Sequence, residues 1–112
     1  MRLESNKLLY DVRIAAERLS RFVADKKFDE YETDELLRSG VERQFEIIGE
    51  ALNQLSKIEV DVVVKISDYK KIISFRNILI HGYTEIDNRL VWNIIETKLP
   101  NLLAEVKALL KD

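Results

Sequence analysis

The stretch SFRNILIHGY, Ser74–Tyr83, holds the chain's only histidine, His81, five residues after Arg76. An imidazole can give or take a proton at cellular pH. A guanidinium can hold a phosphate or an oxyanion through paired N–H groups. On an ideal helix, turning about 100° per residue, Lys70, Ser74, Asn77 and His81 share one polar stripe. The other faces carry Tyr69, Ile72, Ile73, Phe75 and Leu79. Arg76 lies about 140° round from His81 by the same geometry, so its long side chain or a partner helix must close the gap. The negative end of a helix dipole favours a cation at a C-terminal histidine. The same residues have a plainer reading, in which His81 is a helix cap and Arg76 and Asn77 are ordinary surface groups.

Cleavage of RNA through its 2′-hydroxyl, without a metal, needs a base for that hydroxyl and an acid for the leaving oxygen. One chain offers one histidine. A symmetric dimer offers two across its two-fold axis, together with two arginines. The chemistry therefore suits a homodimer and is awkward for a monomer.

The whole chain sets bounds on these readings. Its 112 residues suit a single domain, 1–112, and its 46% hydrophobic and 34% charged residues are an ordinary soluble composition. Three glycines and one proline disfavour a loop-rich or all-β fold. No apolar run approaches the roughly 18 residues of a membrane helix, and no apolar segment of a signal peptide follows Met1, so the expected location is the cytoplasm and no membrane partner is expected. Without cysteine there are no disulfides and no thiolate metal sites, and neither a metal nor a cofactor is expected. The net charge of −2 disfavours a protein that binds nucleic acid mainly by counterion release. Contact with RNA must then be local, in a patch built by two subunits or in a brief catalytic encounter.

Hydrophobic spacing supplies the scaffold. Leu8, Val12, Ala15, Leu19 and Phe22 follow steps of four and three, one stripe of a first helix. Asp29–Glu35 reads as a polar connector with at most a helical turn. Leu37, Val41, Phe45, Ile48, Leu52 and Leu55 mark the longest helix, with Asp34 or Thr33 as its N-cap. Gly40 and Gly49 inside it each cost about 1 kcal/mol against alanine, tolerable where another helix approaches or where the glycine merely sits on the surface. Ile58–Ile66 reads as an irregular or briefly helical connector. A third helix opens at Ser67 or Asp68, either a good N-cap, and closes at His81, with Gly82 suited to a left-handed C′ position. A fourth begins near Asp87 and turns Leu90, Val91, Ile94 and Ile95 inward. Pro100 suits the first turn of the last helix. The sum is an all-α antiparallel bundle of four to five helices.

Three segments in order resemble one family. Arg76-Asn77-Ile78-Leu79-Ile80-His81-Gly82-Tyr83 matches the pattern arginine, four residues, histidine, any residue, tyrosine. It resembles the HEPN superfamily, in particular the HepT-like toxins of HEPN–MNT toxin–antitoxin pairs. VERQFEIIGEALNQL, Val41–Leu55, is similar to that family's second-helix signature, and VWNIIETKLPNLL, Val91–Leu103, to its C-terminal one. The resemblance implies a homodimeric all-α bundle acting as a metal-independent endoribonuclease, with a composite site in the dimer cleft. It implies that Arg76 and His81 are the catalytic pair and that Asn77 supports the site. It implies that Tyr83 receives AMP from an MNT nucleotidyltransferase antitoxin, whose added phosphate and bulk would block the cleft. Two other readings stay open: a non-catalytic module that binds a nucleotide or docks the antitoxin, and a helical dimerisation domain whose polar residues are caps.

Overall fold

The computed structural model describes residues 1–82 and 85–111. The order is α1 (Leu3–Phe22), α2 (Phe28–Thr33), α3 (Glu35–Ile58), α4 (Val60–Val63), α5 (Tyr69–His81), α6 (Asn88–Thr97) and α7 (Leu99–Leu110). The described residues contain no strand. Five helices have ten residues or more, and the short α2 and α4 occupy the two segments read as connectors.

The long α3 is the centre of the molecule, packed against α1 on one side and α5 on another, while α1 also meets α7. Leu9, Val12, Ala16 and Leu19 of α1 and Val41, Ile48, Leu52 and Leu55 of α3 are all fully buried. Each leucine-sized side chain removed from water contributes about 1.5–3 kcal/mol, which is why the two apolar stripes face each other. The rings of Phe45 and Phe75 meet edge to face, 5.2 Å between centroids, and tie α3 to α5.

Two caps fall where expected. Asp34 accepts from the Leu37 N–H at 3.0 Å and starts α3, and Asp87 accepts from the Arg89 N–H at 2.9 Å and starts α6. Pro100 lies in the first turn of α7, where its missing N–H leaves no bond unmade.

Four expectations need correction. Asp68 precedes α5 but caps nothing: its backbone is left-handed, with φ 60°, and its carboxylate accepts from Lys98 Nζ at 2.6 Å. Ser67 does not cap α5 either; its hydroxyl donates to Glu105 of α7 at 2.8 Å. Both side chains thus clamp the start of α5 to the α6–α7 region. Gly82 is extended, φ −70° and ψ 112°, so it does not use the left-handed freedom of glycine. Val91 and Ile95 are buried, but Leu90 is 41% exposed. α6 packs against α7 and α2, and Leu90 lies outside the face that Val91 and Ile95 bury.

The acidic connector hides an anchor. Tyr31 is fully buried and its ring lies 5.3 Å from that of Trp92 on α6, while Phe28 meets the same indole at 6.4 Å. Burial pushes the Tyr31 phenol well above its usual range, and the nearby Glu42 carboxylate adds to the shift.

Candidate active site

Arg76 comes from the middle of α5, on the side that faces α3. Its side chain is 19% exposed and its Nη2 donates to Glu50 Oε2 of α3. Its Nη1 donates to Asn77 Oδ1 at 2.8 Å. The Nε is buried and meets no acceptor among the described residues. The stem can lie so low because Gly49 has no side chain: a Cβ there would stand 2.6 Å from Arg76 Cγ and closer still to its Cβ. Of the two roles weighed for this glycine, close approach of another helix is the one observed.

The predicted polar stripe is present as an exposed one. Lys70, Ser74, Asn77 and His81 are all exposed along α5. Asn77 belongs to that stripe and also holds Arg76, so it turns the guanidinium from the α3 side toward the stripe. His81 is the last residue of α5. Neither guanidinium bond goes to it; both go to Glu50 and Asn77. Tyr83 lies outside the described residues. Among the described residues no group of three or more histidine, aspartate or glutamate side chains has the arrangement to hold a metal ion.

Beside Arg76 a cleft of about 290 Å³ opens between α1, α3 and α5. Its cations each have a carboxylate: Lys7 meets Asp11 at 2.8 Å, Arg43 meets Glu46 at 3.4 Å, and Arg76 meets Glu50. A balanced wall of this kind has little excess charge to attract a polyanion, since phosphate binding is driven by unneutralised Lys and Arg. Glu50 was not singled out from the sequence. The available signal was its place next to Gly49, a helix-interior glycine that fits either a close crossing or a surface position.

On the other flank of α5 the surface is apolar. Ile78 is 51% exposed and lines a groove with Phe75 and, from α6, Leu90 and Ile94, while Ile80, 43% exposed, lines the Arg76 cleft instead. The groove follows α5 from Lys70 to Ile78.

Comparison with known proteins agrees with the resemblance. The family described as "Ribonuclease HepT-like" matches residues 12–109. A candidate RNase of Methanocaldococcus jannaschii, MJ1380, is 34% identical over 101 residues, covering 88% of this chain and 90% of its own. A second from the same organism, MJ0127, is 31% identical over 104 residues, with 93% and 85% covered. A "probable ribonuclease HepT" of Thermococcus cleftensis is 26% identical over 107 residues, with 92% and 93% covered. No solved structure matches.

Proposed function

The chain belongs to the HepT-like ribonuclease family and is an endoribonuclease, and from that premise we propose that it is the toxin of a toxin–antitoxin pair, cutting RNA without a metal at a site shared by two copies. The observation that carries the reading is the guanidinium of Arg76, held by Glu50 and Asn77 on the helix that ends in His81.

In this reading the imidazole of one His81 takes the proton of a ribose 2′-hydroxyl. The freed oxygen attacks the adjacent phosphorus, and the bond to the 5′-oxygen breaks. The protonated His81 of the second copy gives its proton to that leaving oxygen. The products are a 2′,3′-cyclic phosphate and a 5′-hydroxyl. Arg76 stabilises the charge that builds on the phosphoryl oxygens. Base and acid must be two groups, and a single chain has one histidine.

The dimer is supported by the exposed Ile78 and Leu90, which line one largely apolar groove between α5 and α6, since contiguous apolar surface of this kind marks contact sites. The regulatory part of the proposal rests on the family resemblance, which assigns Tyr83 to modification. Tyr83 follows His81 by two residues, so AMP added to its hydroxyl by an MNT nucleotidyltransferase antitoxin would set a charged group against the phosphate path.

The test is growth arrest and RNA cleavage on inducing the parent chain beside His81→Ala, each with and without a partner nucleotidyltransferase. Arrest and cleavage by the parent alone, relieved by the partner, are expected. Equal behaviour of parent and His81→Ala overturns the catalytic reading.

A further inference from the structure

A free arginine side chain has many rotamers to lose, and a phosphate grip is more effective where that freedom has been removed beforehand. Around Arg76 it has been removed twice. The stem is pressed against the bare backbone of Gly49. The fork is held at both Nη atoms, by Glu50 from α3 and by Asn77 from α5 itself. Nε is buried, so only the Nη end reaches the cleft. Each Nη atom has two N–H groups, and one partner on each leaves the other free. One further N–H group per Nη atom is thus left to donate to phosphate oxygens.

The Glu50 pair differs in kind from its neighbours. Lys7–Asp11 and Arg43–Glu46 join residues one turn apart on single helices, with the cations 75% and 67% exposed, and such pairs contribute little. Glu50 and Arg76 are 26 residues apart on two helices, and the arginine is largely covered.

We infer that Glu50 is a positioning residue for RNA cleavage, its carboxylate setting the plane of the Arg76 guanidinium across the α3–α5 crossing that Gly49 permits. The inference rests on the reading of Arg76 as the phosphate-holding group. Glu50 itself touches no substrate; it acts through Arg76.

The experiment compares steady-state cleavage of an RNA oligonucleotide by the parent, Glu50→Ala, Glu50→Gln, Arg76→Lys and the double variant Glu50→Ala/Arg76→Lys. Alongside, nitrogen-resolved NMR of the Arg76 guanidinium reports whether rotation of its Nη groups is slowed. Glu50→Ala is expected to lower kcat about 10- to 100-fold, the usual cost of a misplaced group, and to average the Nη signals. Glu50→Gln, whose amide oxygen still accepts, loses less and keeps the signals resolved, which also separates positioning from failure to fold. On the Arg76→Lys background Glu50→Ala adds no further loss, because the group it positions is gone. Faster cleavage by either Glu50 variant shows a carboxylate that quenches Arg76 and overturns the inference. So does an undiminished kcat in Glu50→Ala, or an additional loss on the Arg76→Lys background. Should the parent and His81→Ala cleave alike, the catalytic reading falls separately, and the Nη signals alone decide whether Glu50 fixes Arg76.

Discussion

Gly49 of α3 and Arg76 of α5 occupy one place in space: a Cβ on the glycine would stand 2.6 Å from the arginine Cγ. The atoms in the way belong to the root of the side chain, so no rotamer change relieves the overlap. The two helices can keep their present spacing only while residue 49 is glycine.

Gly49→Ala therefore sets two effects against each other. Alanine improves helix propensity by about 1 kcal/mol, while overpacking a tight crossing costs about 1–3 kcal/mol. The overlap is with atoms that cannot move alone, so the cost wins and the variant loses stability in urea denaturation. RNA cleavage falls with it, because Arg76 shifts. Gly40→Ala is the control. Its Cβ would meet the Phe22 ring at 3.4 Å and 3.6 Å, close to ordinary contact with a ring that can turn, and the propensity gain leaves it as stable as the parent or more so. Equal destabilisation by both would remove the special status of residue 49.

Tyr31 gives a sharper contrast at a single position. Its ring is buried against Trp92, yet its hydroxyl has no hydrogen-bond partner among the described residues. Leaving a buried hydroxyl unpaired costs about 1–3 kcal/mol, and replacing it with an apolar group removes that cost. Tyr31→Phe is expected to match or exceed the parent in thermal stability. Tyr31→Ala is expected to lose about 3–5 kcal/mol, the range for truncating a buried aromatic. A Tyr31→Phe variant that melts well below the parent would show that the hydroxyl is satisfied.

Acid should loosen the two clamps at the helix starts. The Ser5 hydroxyl and the Arg2 backbone N–H hold the Glu59 carboxyl below its ordinary value of 4.5. The hydrogen bond from Lys98 holds Asp68 below its ordinary 3.8. A carboxyl depressed in the folded state adds stability that is fully present above its unfolded value and is lost as pH falls through its folded one. The contribution of these two groups is thus flat from neutral pH down to those ordinary values and declines below them. Glu59→Ala should be less stable than the parent at neutral pH and should converge with it in strong acid. Curves that stay parallel through the acid range would count against the linkage.

The proposed metal-independent mechanism makes a plain prediction about chelation. Cleavage by the purified protein should persist undiminished in excess EDTA, while His81→Ala cleaves at background level in the same buffer. Loss of activity on chelation, restored by a divalent ion, would assign the chemistry to a metal instead.

Much of this protein was already legible along the chain. The helical stripes are written in apolar spacing, so Leu9 to Leu19 and Val41 to Leu55 meet because each stripe has nowhere else to leave water. Asp34, Asp87 and Pro100 sit at helix starts because capping is a local matter of a few residues. The exposed stripe of Asn77 and His81 follows from helix geometry alone. Local signals failed where distant residues competed for the same group. Asp68 has the chemistry of a cap, but Lys98 takes its carboxylate. Tyr31 sits in a polar segment, and only the packing of α2 on α3 and α6, with Trp92 against its ring, buries it. Glu50 looks like any surface glutamate until α5 crosses α3 at Gly49 and brings Arg76 within reach. Helical periodicity depends on neighbours within a turn or two, so sequence alone determines it, and capping follows wherever no distant group claims the cap's side chain. The partner of Arg76 lies 26 residues away on another helix, and only the way α3 and α5 cross in the folded chain decides it.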